Sequence, residues 1–132
     1  MSSAFQFLSS VPLFAKLSDR QRRKLLRSAN EDSYEAGDVI VREGGRSEKL
    51  FVILEGNARV IHDGRTVSSR APGEFFGEVS MIDGRPHTAS VVADTPVRCL
   101  VLYNDALRTV LVDDPQMAWN LLKMLASRLR DA

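Results

Sequence analysis

Between residues 71 and 93 the sequence reads APGEFFGEVSMIDGRPHTASVVA, and its polar groups are spaced for anion chemistry. Phe76-Gly77-Glu78 sets a glycine and a carboxylate beside an aromatic ring, directly before the apolar run Val79 to Ile82. Gly77 has no Cβ, so its backbone can come close to a ligand. A helical turn over Glu78 to Ile82 would leave N–H groups free at its positive end, which suits an anion. An exposed turn, Asp83-Gly84-Arg85-Pro86, leads into His87-Thr88-Ala89-Ser90-Val91, which reads as strand. The imidazole and hydroxyl of His87 and Thr88 would close the anion site with side-chain donors. Glu78 cannot bind an anion, but a carboxylate beside one suits a sugar hydroxyl. Phosphate and sugar side by side describe a nucleotide.

The elements that must hold these groups follow from periodicity. Phe5, Leu8 and Val11 recur at helical spacing, predicting a short helix over 3–10 that ends before Pro12. Ser18 and Gln21 have capping-box spacing, with Asp19 in the first turn, and Leu25, Leu26 and Ala29 supply the buried face of a second helix. From residue 34 the period becomes strand-like. Asp38–Arg42, the apolar run Leu50–Leu54, Ala58–His62, Arg65–Val67, Ser90–Ala93 and Val97–Leu102 are bounded by glycine turns, and Asp63-Gly64 is a hairpin signal. Many short strands at even spacing predict a sandwich, jelly roll or barrel. Asn104 can cap a helix through Leu111, and Asp114-Pro115 starts another whose apolar stripe is Met117, Leu121, Met124, Leu125 and Leu129.

Composition bounds the rest. The 132 residues suit one domain, 44% hydrophobic and 27% charged. Eighteen basic against seventeen acidic residues give a net charge of +1, so no bulk attraction to nucleic acid or membrane is expected. The single Cys99 cannot form an internal disulfide and suits a reducing compartment. The N-terminus lacks a signal-peptide pattern and no run has spanning length, so a cytoplasmic location is expected. Arg20, Arg22, Arg23, Lys24 and Arg27 on the second helix read as a solvated face, the alternative being an acidic or nucleic-acid partner.

FGEVSMIDGRPHTASV resembles the phosphate-binding cassette of cyclic-nucleotide-binding domains, roughly F-G-E-x-[AS]-[LM]-[LI]-x-x-x-P-R-[ST]-A-[ST]-V. VPLFAKLSDRQRRKLL resembles the segment that leads into the same domains, and Gly37, Gly44, Gly56 and Gly77 fall at their turn glycines, so the likeness covers residues 11–130. The resemblance implies a mainly β fold, a jelly-roll-like β-roll (double-stranded β-helix) with N-terminal helices and a C-terminal helix pair. It divides the single domain, 1–132, into a helical lead-in 3–30, a β-roll 34–102 holding the cassette 75–91, and helices 104–130.

The resemblance further implies cAMP or cGMP as ligand and a ligand-binding set of Phe76, Gly77, Glu78, Val79, Ser80, His87, Thr88 and Ala89. Glu78 would accept from the ribose 2′-hydroxyl, Gly77 and Ala89 would offer backbone N–H groups, and Thr88 its hydroxyl. Threonine there resembles cGMP-binding members. Where the family carries the arginine that pairs with the cyclic phosphate, this chain has His87. Arginine presents a permanently charged fork, histidine at most one N–H. Losing one partner of a buried charge pair costs about 2–5 kcal/mol, so a weakened ligand site is expected. Arg85 lies in the turn and reads as solvated, the alternative being a substitute cation, and Leu122, Met124, Leu125 and Arg128 of the last helix are the candidates to cover the base.

These readings predict a sensor whose ligand moves its helices and so alters an unidentified protein partner, with a homodimer through the last helix as a further possibility. The alternative is a degenerate domain of the same fold that acts as an interaction or dimerisation module. An enzyme is not expected: a metal-dependent cupin needs a cluster of histidines, and only His62 and His87 exist. Direct DNA binding would need a helix-turn-helix after the long helix, and the sequence stops at Ala132.

Overall fold

A computed structural model describes residues 3–131. Met1, Ser2 and Ala132, which the sequence reading includes in its domain, lie outside the described residues. In chain order the elements are α1 (Ser3–Leu8), α2 (Asp19–Arg27), β1 (Asn30–Tyr34), β2 (Val39–Val41), β3 (Lys49–Glu55), β4 (Ala58–His62), β5 (Arg65–Arg70) and β6 (Phe75–Phe76). They continue as α3 (Glu78–Asp83), β7 (Ser90–Ala93), β8 (Val97–Tyr103), α4 (Asn104–Asp113) and α5 (Pro115–Asp131). The strands form two antiparallel four-stranded sheets, ordered β1-β8-β3-β6 and β2-β7-β4-β5. This is the expected β-roll with flanking helices.

The apolar run of β3 is explained by burial on both faces. Leu50, Val52 and Leu54 face a cluster built with the helices (Phe14, Leu25, Leu107 and Leu121), while Phe51 and Ile53 face a second cluster between the sheets. The neighbouring β8 divides in the same way, with Leu100 and Leu102 toward the helices and Val97, Cys99 and Val101 toward the other sheet. A strand whose alternate side chains both find a core loses the alternating pattern of a half-exposed sheet.

Several boundaries depart from the sequence reading. α1 stops at Leu8 and turns follow as far as Leu17. The polar stretch Asn30–Tyr34, which spans the expected junction between the helical lead-in 3–30 and the β-roll 34–102, is an edge strand paired with β8, its exposed face tolerating Glu31. β7 begins at Ser90, because the backbone of His87 is already committed to the Gly44-Gly45 turn through Gly44 N–H to His87 O and His87 N–H to Gly45 O, each 2.8 Å. Asn104 is the first residue of α4 and does not cap it: Tyr103 is the N-cap without a side-chain bond, and Asn104 Nδ2 donates to the Met81 carbonyl at 2.7 Å. Leu129 leaves the inward stripe of α5 and is 79% exposed. The capping box is present, with Gln21 N–H to Ser18 Oγ at 3.1 Å and Ser18 N–H to Gln21 Oε1 at 2.9 Å.

Candidate functional site: a pocket between the cassette helix and the second sheet

One pocket is lined by Phe76, Gly77, Glu78, Val79, Ser80, His87, Thr88 and Ala89, together with Val41, Val60, Arg70 and Val91. All eight residues singled out in the sequence therefore meet. The first five come from β6 and α3, the other three from the loop before β7.

Gly77 is the N-cap of α3 and has a left-handed conformation, φ 85°. A Cβ there would lie 2.8 Å from the Lys49 carbonyl and 3.2 Å from Phe51 Cδ1. The close approach that demands glycine is thus made to strand β3, where the sequence reading placed a ligand. The Phe51 and Phe76 rings stack with centroids 5.0 Å apart and fix the turn from below. α3 then runs as the expected helical turn, and Asn104 holds its Met81 carbonyl.

Glu78 is 7% exposed, so it is not the solvated turn carboxylate that sequence context alone would allow. Its charge is matched by α5: Arg128 Nη1 donates to Glu78 Oε1 at 2.5 Å and Arg128 Nη2 to the Phe75 carbonyl at 2.6 Å. The same guanidinium lies 4.1 Å from the Phe75 ring centroid. Of the four residues expected over the base, Arg128 reaches the cassette, Met124 and Leu125 pack against the helical core, and Leu122 is exposed. Ser80 Oγ is buried and has no hydrogen-bond partner among the described residues.

His87 is also buried, with Nε2 2.8 Å from Ser47 Oγ. Desolvation lowers its pKa below the ordinary imidazole value, and the Glu78 carboxylate only partly opposes this. Burial thus disfavours the charged form of the His87 imidazole. Arg85 is exposed and stands outside the pocket lining. Sequence reasoning missed Ser47 and Arg70. The second was signalled only by strand alternation, since Ser68 and Arg70 are half-buried while Val67 and Ser69 are exposed. Burial and the neighbouring Arg128 charge lower the Arg70 pKa, against the pull of Glu78 and Glu74.

On the outer surface Glu43, His62 and Asp63 are close enough to meet one cation, all exposed, with His62 Nδ1 2.8 Å from the Thr88 carbonyl. Among the described residues no helix is long and apolar enough to cross a membrane.

Fold and pocket together define a class: a β-roll in which a short helix after a left-handed glycine carries a buried carboxylate to a pocket, under a C-terminal helix. The chain belongs to the cyclic nucleotide-binding domain family, whose model matches residues 31–114. It is 32% identical over 120 residues to the cAMP-dependent protein kinase regulatory subunit of Aspergillus niger, covering 84% of this chain and 29% of that protein. It is 31% identical over 106 residues to the cGMP-dependent protein kinase of Eimeria tenella, covering 80% of this chain and 11% of that one. The chain thus spans less than a third of these relatives. Among solved structures it resembles the regulatory subunit of a cAMP-independent protein kinase A from Trypanosoma brucei, with a TM-score of 0.82 at 27% identity, over 94% of this chain and 46% of that one. That structure is a triply substituted form, one change introducing an arginine in place of threonine, bound to cAMP in the A site.

Proposed function

We propose that residues 1–132 form one cyclic-nucleotide sensor, a regulatory and non-catalytic domain in which cAMP or cGMP seated on the cassette moves the C-terminal helices and so alters a protein partner. The observation that carries this reading is the meeting of two separate stretches, 76–80 and 87–89, around one pocket with the Glu78 carboxylate buried in it. Glu78 accepts from the ribose 2′-hydroxyl, the Gly77 and Ala89 backbones and the Thr88 hydroxyl donate to sugar and phosphate, and Ser80 Oγ gains a partner. Phe76 and Val79 give the apolar wall, and His87 offers one N–H to the phosphate. No metal takes part, and the domain works in the cytoplasm without contacting nucleic acid or membrane directly.

Arg128 makes the coupling physical. A ribose hydroxyl on Glu78 changes what Arg128 is paired with, and Arg128 belongs to α5. The weak point is the anion anchor, since an imidazole whose charged form burial disfavours stands where a permanent fork would serve.

Calorimetric titration of cAMP and cGMP at pH 6 and pH 8, with His87→Arg alongside, tests the reading. Binding by the native chain, tighter at pH 6, is expected, because a phosphate favours the imidazolium that burial disfavours. Binding by His87→Arg alone would mean a pocket that has lost its anchor, and binding by neither would overturn the sensor reading.

A second reading, a dimerisation module that binds no nucleotide, is favoured by the outer face of α5. Trp119 (58% exposed), Leu122 (56%) and Leu129, with Ala126, recur at alternating spacings of three and four, the seam of a two-helix coiled coil. Sedimentation equilibrium of the native chain and of Leu122→Lys, each with and without cyclic nucleotide, separates a constitutive dimer from a ligand-dependent one.

A further inference from the structure

His87 is fastened to the loop before β3 by three contacts. Gly44 N–H donates to its carbonyl and its own N–H donates to the Gly45 carbonyl, each at 2.8 Å, while Nε2 lies 2.8 Å from Ser47 Oγ. We infer that Ser47 holds the proton of the neutral His87 ring on Nδ1, so that an uncharged imidazole can still donate to the phosphate of a bound nucleotide. This rests on the nucleotide reading of the pocket.

The two ring nitrogens have different surroundings. Nε2 is engaged with Ser47 in a partly buried contact. Nδ1 has no hydrogen-bond partner among the described residues, yet it is not sealed from solvent as Ser80 Oγ is. His87 is buried apart from the face with which it lines the pocket, so Nδ1 is the nitrogen open to an anion there.

Hydrogen-bond accounting then places the proton. A neutral imidazole has one N–H and one lone pair, and a serine hydroxyl both donates and accepts. Ser47 Oγ has no other partner among the described residues. A proton on Nε2 would point at the serine oxygen and leave the hydroxyl hydrogen with nothing to bond. A proton on Nδ1 lets the hydroxyl donate to Nε2 and turns a donor toward the pocket, since the bond at one nitrogen fixes the proton on the other. A phosphodiester oxygen only accepts, so it reinforces this tautomer and would face a bare lone pair in the other. In the imidazolium, Nε2–H donates to the Ser47 oxygen instead, and the contact persists. Ser47 is thus a positioning residue that acts on the ligand through His87.

Neighbouring charges do not take over this task. Glu78 from α3 and Arg70 from β5 are the other ionisable side chains lining the pocket, and neither is hydrogen-bonded to the ring. Arg46, Glu48 and Arg85, next to Ser47 or near His87 along the chain, are exposed. Burial disfavours the imidazolium, which gives the donor of the neutral ring its importance.

Nitrogen-15 spectra of the imidazole at pH 8 locate the proton in the native chain, Ser47→Ala and Ser47→Thr, each free and with cAMP or cGMP. His62 is the other histidine, and His62→Gln removes its signals. Calorimetry at pH 6 and pH 8 reads the consequence for binding. The native ring is expected in the Nδ1–H form. Ser47→Ala should move the proton toward Nε2 and weaken nucleotide binding about 10-fold at pH 8, but less than about 3-fold at pH 6, where the imidazolium carries both protons. Ser47→Thr, which keeps the hydroxyl, should restore both readouts. A native ring protonated on Nε2, or an equal loss at the two pH values, would overturn the role of Ser47. If the native chain binds neither nucleotide, the donation to phosphate falls with the nucleotide reading, while the spectrum of the free chain still decides the tautomer.

Discussion

Arg128 reaches across fifty positions of sequence to place Nη1 2.5 Å from Glu78 Oε1. The contact ties the last turns of α5 to the residue that opens α3, and its side chains are mostly out of solvent, 10% exposed for Glu78 and 27% for Arg128. The carboxylate offered to a ribose is thus already one end of an ion pair.

Removing either partner strands the other. Glu78→Gln and Arg128→Met, alone and combined, should show a coupling of about 0.5–3 kcal/mol in urea unfolding, the range for residues sharing one hydrogen-bond or salt-bridge network. Additive effects would mean that the pair does not form in solution.

Gly77 and Gly84 both have positive φ, 85° and 69°, but different surroundings. A Cβ at Gly77 meets the Lys49 carbonyl at 2.8 Å, whereas one at Gly84 meets nothing nearer than Glu48 Oε1 at 3.8 Å. Gly84→Ala should cost about 1 kcal/mol of conformational strain, and Gly77→Ala about 3 kcal/mol or more through added displacement of β3. Chemical denaturation of the two variants checks the order, which reverses if the turn at 77 yields easily.

His87 makes stability depend on pH. Its folded pKa is lowered by burial, so below the ordinary value near 6.5 the unfolded chain binds more protons than the folded one. The contribution is fully present above about pH 6.5 and is lost as pH falls from there toward the folded value. Melting temperatures from pH 7.5 to 5.5 should fall less steeply in His87→Gln, which can keep a bond to Ser47, than in the native chain. Parallel curves would show that His87 is not desolvated.

Cys99 lies wholly inside the inter-sheet cluster, and burial pushes its thiol up to about 12. The native protein should therefore resist an aromatic disulfide reagent at pH 8 and react at once in denaturant. Labelling at a rate typical of an exposed thiol would contradict the packing of β8.

Much of this arrangement was legible in the sequence, for identifiable reasons. The cassette residues sit close together in the chain and carry rigid local demands, a left-handed glycine and a one-turn helix, so 76–80 and 87–89 were found together. Strands with strong apolar content, such as Leu50–Leu54, declared themselves. What escaped depends on contacts distant in sequence. Asn30–Tyr34 is a strand because β8 supplies its partner groups, not because of its own polar residues. Asn104 left its capping role for the Met81 carbonyl, a competitor invisible to local spacing. Arg70 entered the pocket through the pairing of β5 with β4, and Ser47 reached His87 through the fold of the loop before β3, neither of which a window of residues encodes.

The short helix α3 is gripped at both ends by the C-terminal pair, by Asn104 at the Met81 carbonyl and by Arg128 at Glu78. These grips sit on opposite sides of the break at Asp114-Pro115, one at the start of α4 and one far along α5. From that break to Arg128 runs about 20 Å of helix at 1.5 Å per residue. With α5 swinging as a rigid arm about the break, a shift of about 1 Å at Glu78 corresponds to a rotation of about 3°. A ligand that works on the carboxylate pushes near the tip of this lever, where a small force has its greatest torque.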